Sequence, residues 1–173
     1  MKTLKLCIDE PVTLRNPYEI LTYTDEIFIS SLFDSIVCYD DRGMIVPSLC
    51  SNYTVSEDRK KYCFTFENKK WSNGDLVTAK DFDRMFHHII CNHQKYSCAE
   101  LLTYIKDVEN YYAGLADINS IGVKATSEKL LEIELELICD DFLNILCQPM
   151  FTPIHRTLYN APTCQDNFLA FLS

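Results

Sequence analysis

The stretch Trp71-Ser72-Asn73-Gly74-Asp75-Leu76-Val77-Thr78-Ala79-Lys80-Asp81-Phe82 decides the reading of this chain. It reads as an aromatic anchor, a tight turn, a short extended step and a capped helix start. Asn73-Gly74 supplies a turn that tolerates positive φ. Leu76-Val77 is too short for a helix and suits a buried extended step. Thr78 is placed to cap the next helix, its hydroxyl accepting from the backbone N–H near Asp81. The Asp81 carboxylate then sits at the positive end of the helix dipole. Beyond it, Phe82, Met85, Phe86, Ile89 and Ile90 form an apolar stripe at helical spacing.

Working outward, Tyr53-Thr54-Val55 and residues 61–66 predict a hairpin joined through Ser56-Glu57-Asp58-Arg59. Val37-Cys38-Tyr39 and Met44-Ile45-Val46 are extended around a turn at residues 40–43, and Pro47 opens a short helical turn. Residues 24–36 predict a helix with Thr24 as cap and Phe28, Leu32, Phe33 and Ile36 as its apolar face. Leu4, Leu6 and Ile8 alternate as a strand. Downstream, Ser97-Cys98-Ala99-Glu100 is a capping box for a helix carrying Leu101, Leu102, Ile105, Val108 and Tyr112, which Gly114 stops. Leu131, Ile133, Leu135 and Leu137 alternate with Glu132, Glu134 and Glu136, the clearest half-buried strand in the chain. Asp140 or Asp141 caps a last short helix bearing Phe142, Ile145 and Leu146, ended by Pro149 and Pro153.

A chain of 173 residues with 47% hydrophobic and 24% charged residues is long enough for a real core in one or two small domains. Its net charge of −9 argues against a nucleic-acid surface, which needs clustered Lys and Arg. Acidity of this size keeps a protein soluble. No apolar run is long enough to form a membrane-spanning helix. The first ten residues do not read as a secretion signal, since Lys5 breaks their apolar stretch and Asp9 ends it. Nine cysteines, with no CxxC pair, sit mostly inside apolar runs such as Leu6-Cys7-Ile8 and Tyr62-Cys63-Phe64. There they behave as small buried hydrophobes rather than as a disulfide framework.

The block at 71–82 resembles the W-S-[DN]-G-x-x-[VL]-T-A-x-D-[FV] segment of the family 5 extracellular solute-binding proteins, the oligopeptide- and dipeptide-binding components of ABC importers. Other elements are similar in order along about 150 residues. They include Leu14-Arg15-Asn16-Pro17, Leu32-Phe33-Asp34-Ser35-Ile36, Asp41-Arg42-Gly43 with Val46-Pro47-Ser48-Leu49, and Ile121-Gly122-Val123-Lys124-Ala125. Ser35 and Arg59 stand where relatives have glycine. The resemblance implies an α/β, periplasmic-binding-protein-like fold with mixed sheets flanked by helices, present in part. Residues 1–46 correspond to the first segment of the ligand-binding lobe, domain I. Residues 47–155 correspond to a domain II-like module, and 156–173 to a tail.

It implies binding of a peptide or other small solute by hinge closure, with a transporter permease as partner and without catalysis or cofactor. Relatives are about three times longer, so the chain is expected to hold half of a binding site and to self-associate through an uncovered edge of its domain I-like part. Two other readings stand beside it: an intracellular sensor domain of a solute-binding-like transcription regulator, and a truncated interaction module. The family implies an extracytoplasmic, membrane-associated location, whereas the cysteines and the first ten residues fit the cytoplasm.

By the same resemblance, ligand contacts map to the loop after the first strand, at Leu21, Thr22 and Tyr23. Thr22 and the backbone exchange hydrogen bonds with the ligand and Tyr23 packs on it; the plainer alternative is that Tyr23 leads into the helix. The metal-like cluster is His87, His88, Cys91, His93 and Cys98, with His87 and Cys91 one helical turn apart. Its spacing matches no compact zinc pattern, so the reading adopted is a packed thiol with solvated histidines and no metal, His87 and Cys91 being the weak candidates. No thiol lies in a nucleophile motif, and with four glycines the chain has no glycine-rich phosphate loop.

Overall fold

The computed structural model describes residues 11, 16–20 and 22–159. In chain order these form α1 (Tyr23–Leu32), β1 (Val37–Tyr39), β2 (Ile45–Pro47), β3 (Asn52–Val55), β4 (Lys61–Thr65), α2 (Ala79–Cys91), α3 (Val108–Tyr112), β5 (Val123–Ala125), β6 (Leu130–Glu134) and α4 (Phe142–Leu146). Short 3₁₀ turns occupy Ser97–Leu102, Ile118–Ser120 and Pro149–Phe151. The strand expected at residues 3–8 lies outside the described residues.

β3, β4, β6 and β5 line up in that order as one sheet, and β1 pairs with β2 as a separate hairpin. Every pairing between these strands is antiparallel. The sheet turns Tyr62, Phe64, Leu131, Ile133 and Val123 inward, as period-two alternation requires. Lys61, Glu132 and Lys124 face water. Against the inner face lies α2, whose Phe82, Met85, Phe86, Ile89 and Ile90 are all fully buried. Phe66 stacks on Phe82 with centroids 5.0 Å apart, and Tyr62 packs on Phe142 of α4 at 4.9 Å. Leu135 continues the buried row, but Leu137 is 64% exposed because the strand ends at Glu134.

Two turns show backbone constraint. Arg59 occupies the left-handed position of the β3–β4 turn at φ 55° and pairs with Asp140. Holding an L-residue in that conformation is costly. A Cβ on Gly122 would lie 2.5 Å from the Glu134 carbonyl oxygen and 2.9 Å from Lys106 Cβ. Only glycine lets these backbones meet, with Glu134 N–H donating to Gly122 O at 2.7 Å.

Four local expectations are corrected. The first helix begins at Tyr23 with Thr22 as its cap, not Thr24, and ends at Leu32 where Phe33 turns extended. Its buried apolar residue is consequently Ile29, while Leu32 is 39% exposed. The helix expected from Ser97 to residue 113 is broken into a 3₁₀ turn and α3, with Asp107 at φ 61° between them. Ile105 instead bridges Leu135, so sheet pairing overrides helical propensity there. Pro47 closes β2, and residues 48–51 bend without forming a helical turn.

Candidate functional site

The segment entering α1 is held from several sides. Asn16 accepts from the Tyr18 N–H at 2.9 Å and donates its amide to the Tyr96 hydroxyl at 3.1 Å. Tyr18 and Tyr159 share a hydrogen bond of 2.9 Å between hydroxyls. Burial, reinforced by Tyr159, pushes the Tyr18 phenol well above its usual range; burial also takes Tyr159 up to about 12. His88 packs among Tyr18, Tyr96 and Tyr159 at 5.0–5.7 Å, with Nε2 3.2 Å from the Tyr96 hydroxyl. Its imidazole pKa is lowered by burial and by the nearby Lys95 charge. Lys95 pairs with Glu19 at 2.8 Å. This ring cluster joins three distant chain segments and fixes the run at 16–20 against α2.

Thr22 follows. Its hydroxyl accepts from Asp25 N–H at 3.1 Å, and the Asp25 carboxylate accepts from Thr22 N–H at 3.2 Å, a reciprocal cap. Tyr23 then stands 76% exposed at the first helical position. Of the three residues that the family resemblance singles out, Thr22 and Tyr23 are thus adjacent at the capped start of α1, although the Thr22 hydroxyl is occupied by its own helix. Leu21 lies outside the described residues.

The C-terminal end of α1 borders a groove of about 200 Å³ lined by Phe33, Leu49, Trp71, Val77 and Pro153, with Asp34 and Lys70 supplying charge. Trp71 is positioned by the turn beyond it: Gly74 at φ 91° lets its N–H reach Trp71 O at 2.9 Å, and Trp71 N–H donates to Asp75 O at 2.8 Å. The Asp75 carboxylate meets His155 Nε2 at 3.0 Å and Arg156 at 2.9 Å. The hydrogen bond from His155 and the Arg156 charge hold the Asp75 carboxyl below its usual range. His155 is buried edge-on to the Trp71 ring at 5.5 Å. Trp71 Nε1 points to the Asp81 carboxylate at 3.5 Å. Asp81 takes both the N–H and the hydroxyl of Thr78, at 2.9 and 3.1 Å. The Thr78 hydroxyl donates to the Asp81 carboxylate, and the capping box between Thr78 and Asp81 expected from the sequence is present. Val77 is buried as expected, but Leu76 is 52% exposed.

The histidine–cysteine cluster does not converge. His87 Nδ1 lies 2.8 Å from Asp83 O, Cys91 accepts from the Tyr111 hydroxyl at 3.6 Å, and His93 stacks on Tyr112 at 4.2 Å. Among the described residues no group of three or more His, Cys, Asp or Glu could hold a metal ion. Burial pushes the Cys50 and Cys147 thiols up to about 11 and Cys98 to about 12. None of the three therefore has the lowered pKa of a thiol poised as a catalytic nucleophile. What the arrangement offers is a capped helix start with an exposed Tyr23 and a groove that mixes apolar and charged side chains.

Sequence reasoning placed Trp71 and Asp81 from the local motif, whereas Thr22 and Tyr23 came from the family resemblance. It missed Tyr18, Tyr96, Tyr159 and His155, which sit in irregular segments without periodicity and meet only through the tertiary fold.

Residues 44–169 match the family model described as "Bacterial extracellular solute-binding proteins, family 5 Middle". The dipeptide-binding protein DppE of Bacillus subtilis (strain 168) is 34% identical over 111 residues, covering 64% of this chain and 20% of DppE. The probable deoxycholate-binding periplasmic protein YgiS of Escherichia coli (strain K12) is 28% identical over 148 residues, covering 84% of this chain and 28% of YgiS. Among solved structures, the periplasmic oligopeptide-binding protein OppAIV from Borrelia burgdorferi superposes with a TM-score of 0.81 at 27% identity, over 91% of this chain and 32% of that one. The chain thus spans a fifth to a third of these relatives' length.

Proposed function

The chain belongs to the family 5 bacterial extracellular solute-binding proteins, and from that premise we propose that it serves peptide binding as part of the substrate-binding component of an ABC importer. The observation that carries this reading is the family match together with a relative named for dipeptides and a superposed protein named for oligopeptides. In this reading residues 1–46 begin the ligand-binding lobe, 47–155 form the module beside it and 156–173 are a tail, whose Arg156 and Tyr159 pack back on Asp75 and Tyr18. The edge at residues 21–23 faces the ligand, with Tyr23 packing on it and backbone groups exchanging hydrogen bonds. The function is binding without catalysis, and the partner is a transporter permease. These residues on their own self-associate through an uncovered edge of the domain I-like segment; a monodisperse monomer in sedimentation contradicts that.

The test is native mass spectrometry of the protein expressed from the whole reading frame that encodes these residues, mixed with short peptides and, separately, deoxycholate. Peptide adducts support the reading. Adducts with deoxycholate alone overturn the peptide class, and the absence of any adduct overturns solute binding.

A further inference from the structure

We infer that Cys38 and Cys147 are a disulfide-forming pair, closed by a small-molecule disulfide oxidant, that staples the β1–β2 hairpin to α4. Both thiols line one cavity of about 150 Å³, walled also by Phe33, Ser35, Ser48 and Pro149. Both are half-buried, so an oxidant reaches them, whereas Cys50 is 1% exposed and does not line that cavity. The elements that carry them are already joined: Tyr39, next to Cys38, donates its hydroxyl to Asn144 at 2.9 Å, one helical turn before Cys147. Cys147 ends α4, its N–H donating to Leu143 O at 3.1 Å, so its position is set by the helix. Cys38 is held in register opposite Val46 of β2. The Cys38 charge contributes to raising the Cys147 and Cys50 thiols alike, so the shared cavity is what singles out Cys147.

The chemistry balances as two exchanges. The Cys38 thiolate attacks one sulfur of the oxidant and releases one small thiol. The Cys147 thiolate then attacks the Cys38 sulfur of the mixed disulfide and releases the second. Two protein S–H bonds and one oxidant S–S bond become one protein S–S bond and two small-molecule S–H bonds. The protein loses two electrons and two protons, which the oxidant takes up. Burial pushes the Cys147 thiol up to about 11, so closure is faster at alkaline than at neutral pH.

The inference is independent of the ligand and of the transporter reading. Its test is incubation of the full chain with oxidised glutathione, acid quenching, alkylation of remaining thiols, and peptide mapping by mass spectrometry. The expected result is a linked Cys38–Cys147 peptide and the loss of two alkylatable thiols. Cys38→Ser and Cys147→Ser each abolish the link, while Cys91→Ser retains it. Circular dichroism of each variant separates loss of the thiol from loss of the fold, and the wild-type map stands on its own. A link from Cys38 to Cys50, or glutathione on the exposed Cys91 with Cys38 and Cys147 both still alkylated, overturns the inference.

Discussion

α1 and α2 open on the same local device and meet opposite fates. Each begins at a threonine followed three residues later by an aspartate, Thr22 with Asp25 and Thr78 with Asp81. In both, the aspartate is buried and accepts from the threonine N–H. Beyond the cap they diverge. α2 buries five large apolar side chains completely against the four-stranded sheet. α1 buries Ile29 and leaves Tyr23 and Leu32 in solvent. A cap fixes where a helix starts; what the helix buries depends on what lies across from it. In a member of a family whose relatives are several times longer, the sparsely covered helix is the one the proposal assigns to the ligand-binding lobe.

The contrast breaks most readily at its extremes. Phe86→Ala removes a fully buried ring from α2 and is expected to cost about 3–5 kcal/mol in urea unfolding. Leu32→Ala in α1 is expected to cost less than about 1 kcal/mol, since part of that side chain is already in water. Equal losses at the two sites remove the distinction. Asp81→Ala comes next, at about 2–3 kcal/mol, because it strips Thr78 N–H and Trp71 Nε1 of their acceptor and leaves Arg84, 3.6 Å away, without its counter-charge. Gly122→Ala is expected to cost about 1–3 kcal/mol through the clash with Glu134 O, and a neutral result means the backbones do not approach as described. Thr22→Ala loses only the local cap of α1, about 1 kcal/mol.

A smaller effect tests the seam between the two regions. His88 of α2 faces Tyr18, Tyr96, Tyr159 and Lys95, and burial followed by the Lys95 charge depresses its folded pKa below the ordinary 6.5. On acidification the unfolded chain takes up the proton first. Stability therefore falls as pH drops below about 6.5, and this contribution stops changing once the folded pKa is passed. His88→Gln is expected to flatten that slope in chemical denaturation between pH 7 and 5; an unchanged slope assigns it to other groups.

These differences also explain what the sequence revealed. The α2 stripe was readable because one face of one helix meets one sheet, so period alone names its core. The Leu131, Ile133 and Leu135 row was readable for the same reason. The apolar face of α1 was misread at Leu32, since burial there is set by the chain's early turn at Phe33 rather than by helical period. The helix expected after Ser97 failed where Ile105 found a partner in Leu135, a contact between residues far apart in sequence. Within the site, Thr22 and Tyr23 came from family resemblance. Tyr18, Tyr96, Tyr159 and His155 carry no local pattern and become visible only when loops converge.

The most direct measurement is hydrogen exchange of the protein expressed from its whole reading frame, with and without a bound peptide. The account predicts slowed exchange at residues 22–32, across the Thr22–Tyr23 edge and α1, with the amides of α2 and the β3–β6 sheet unchanged. Protection confined to the sheet module, with α1 unaffected by a peptide that demonstrably binds, contradicts it.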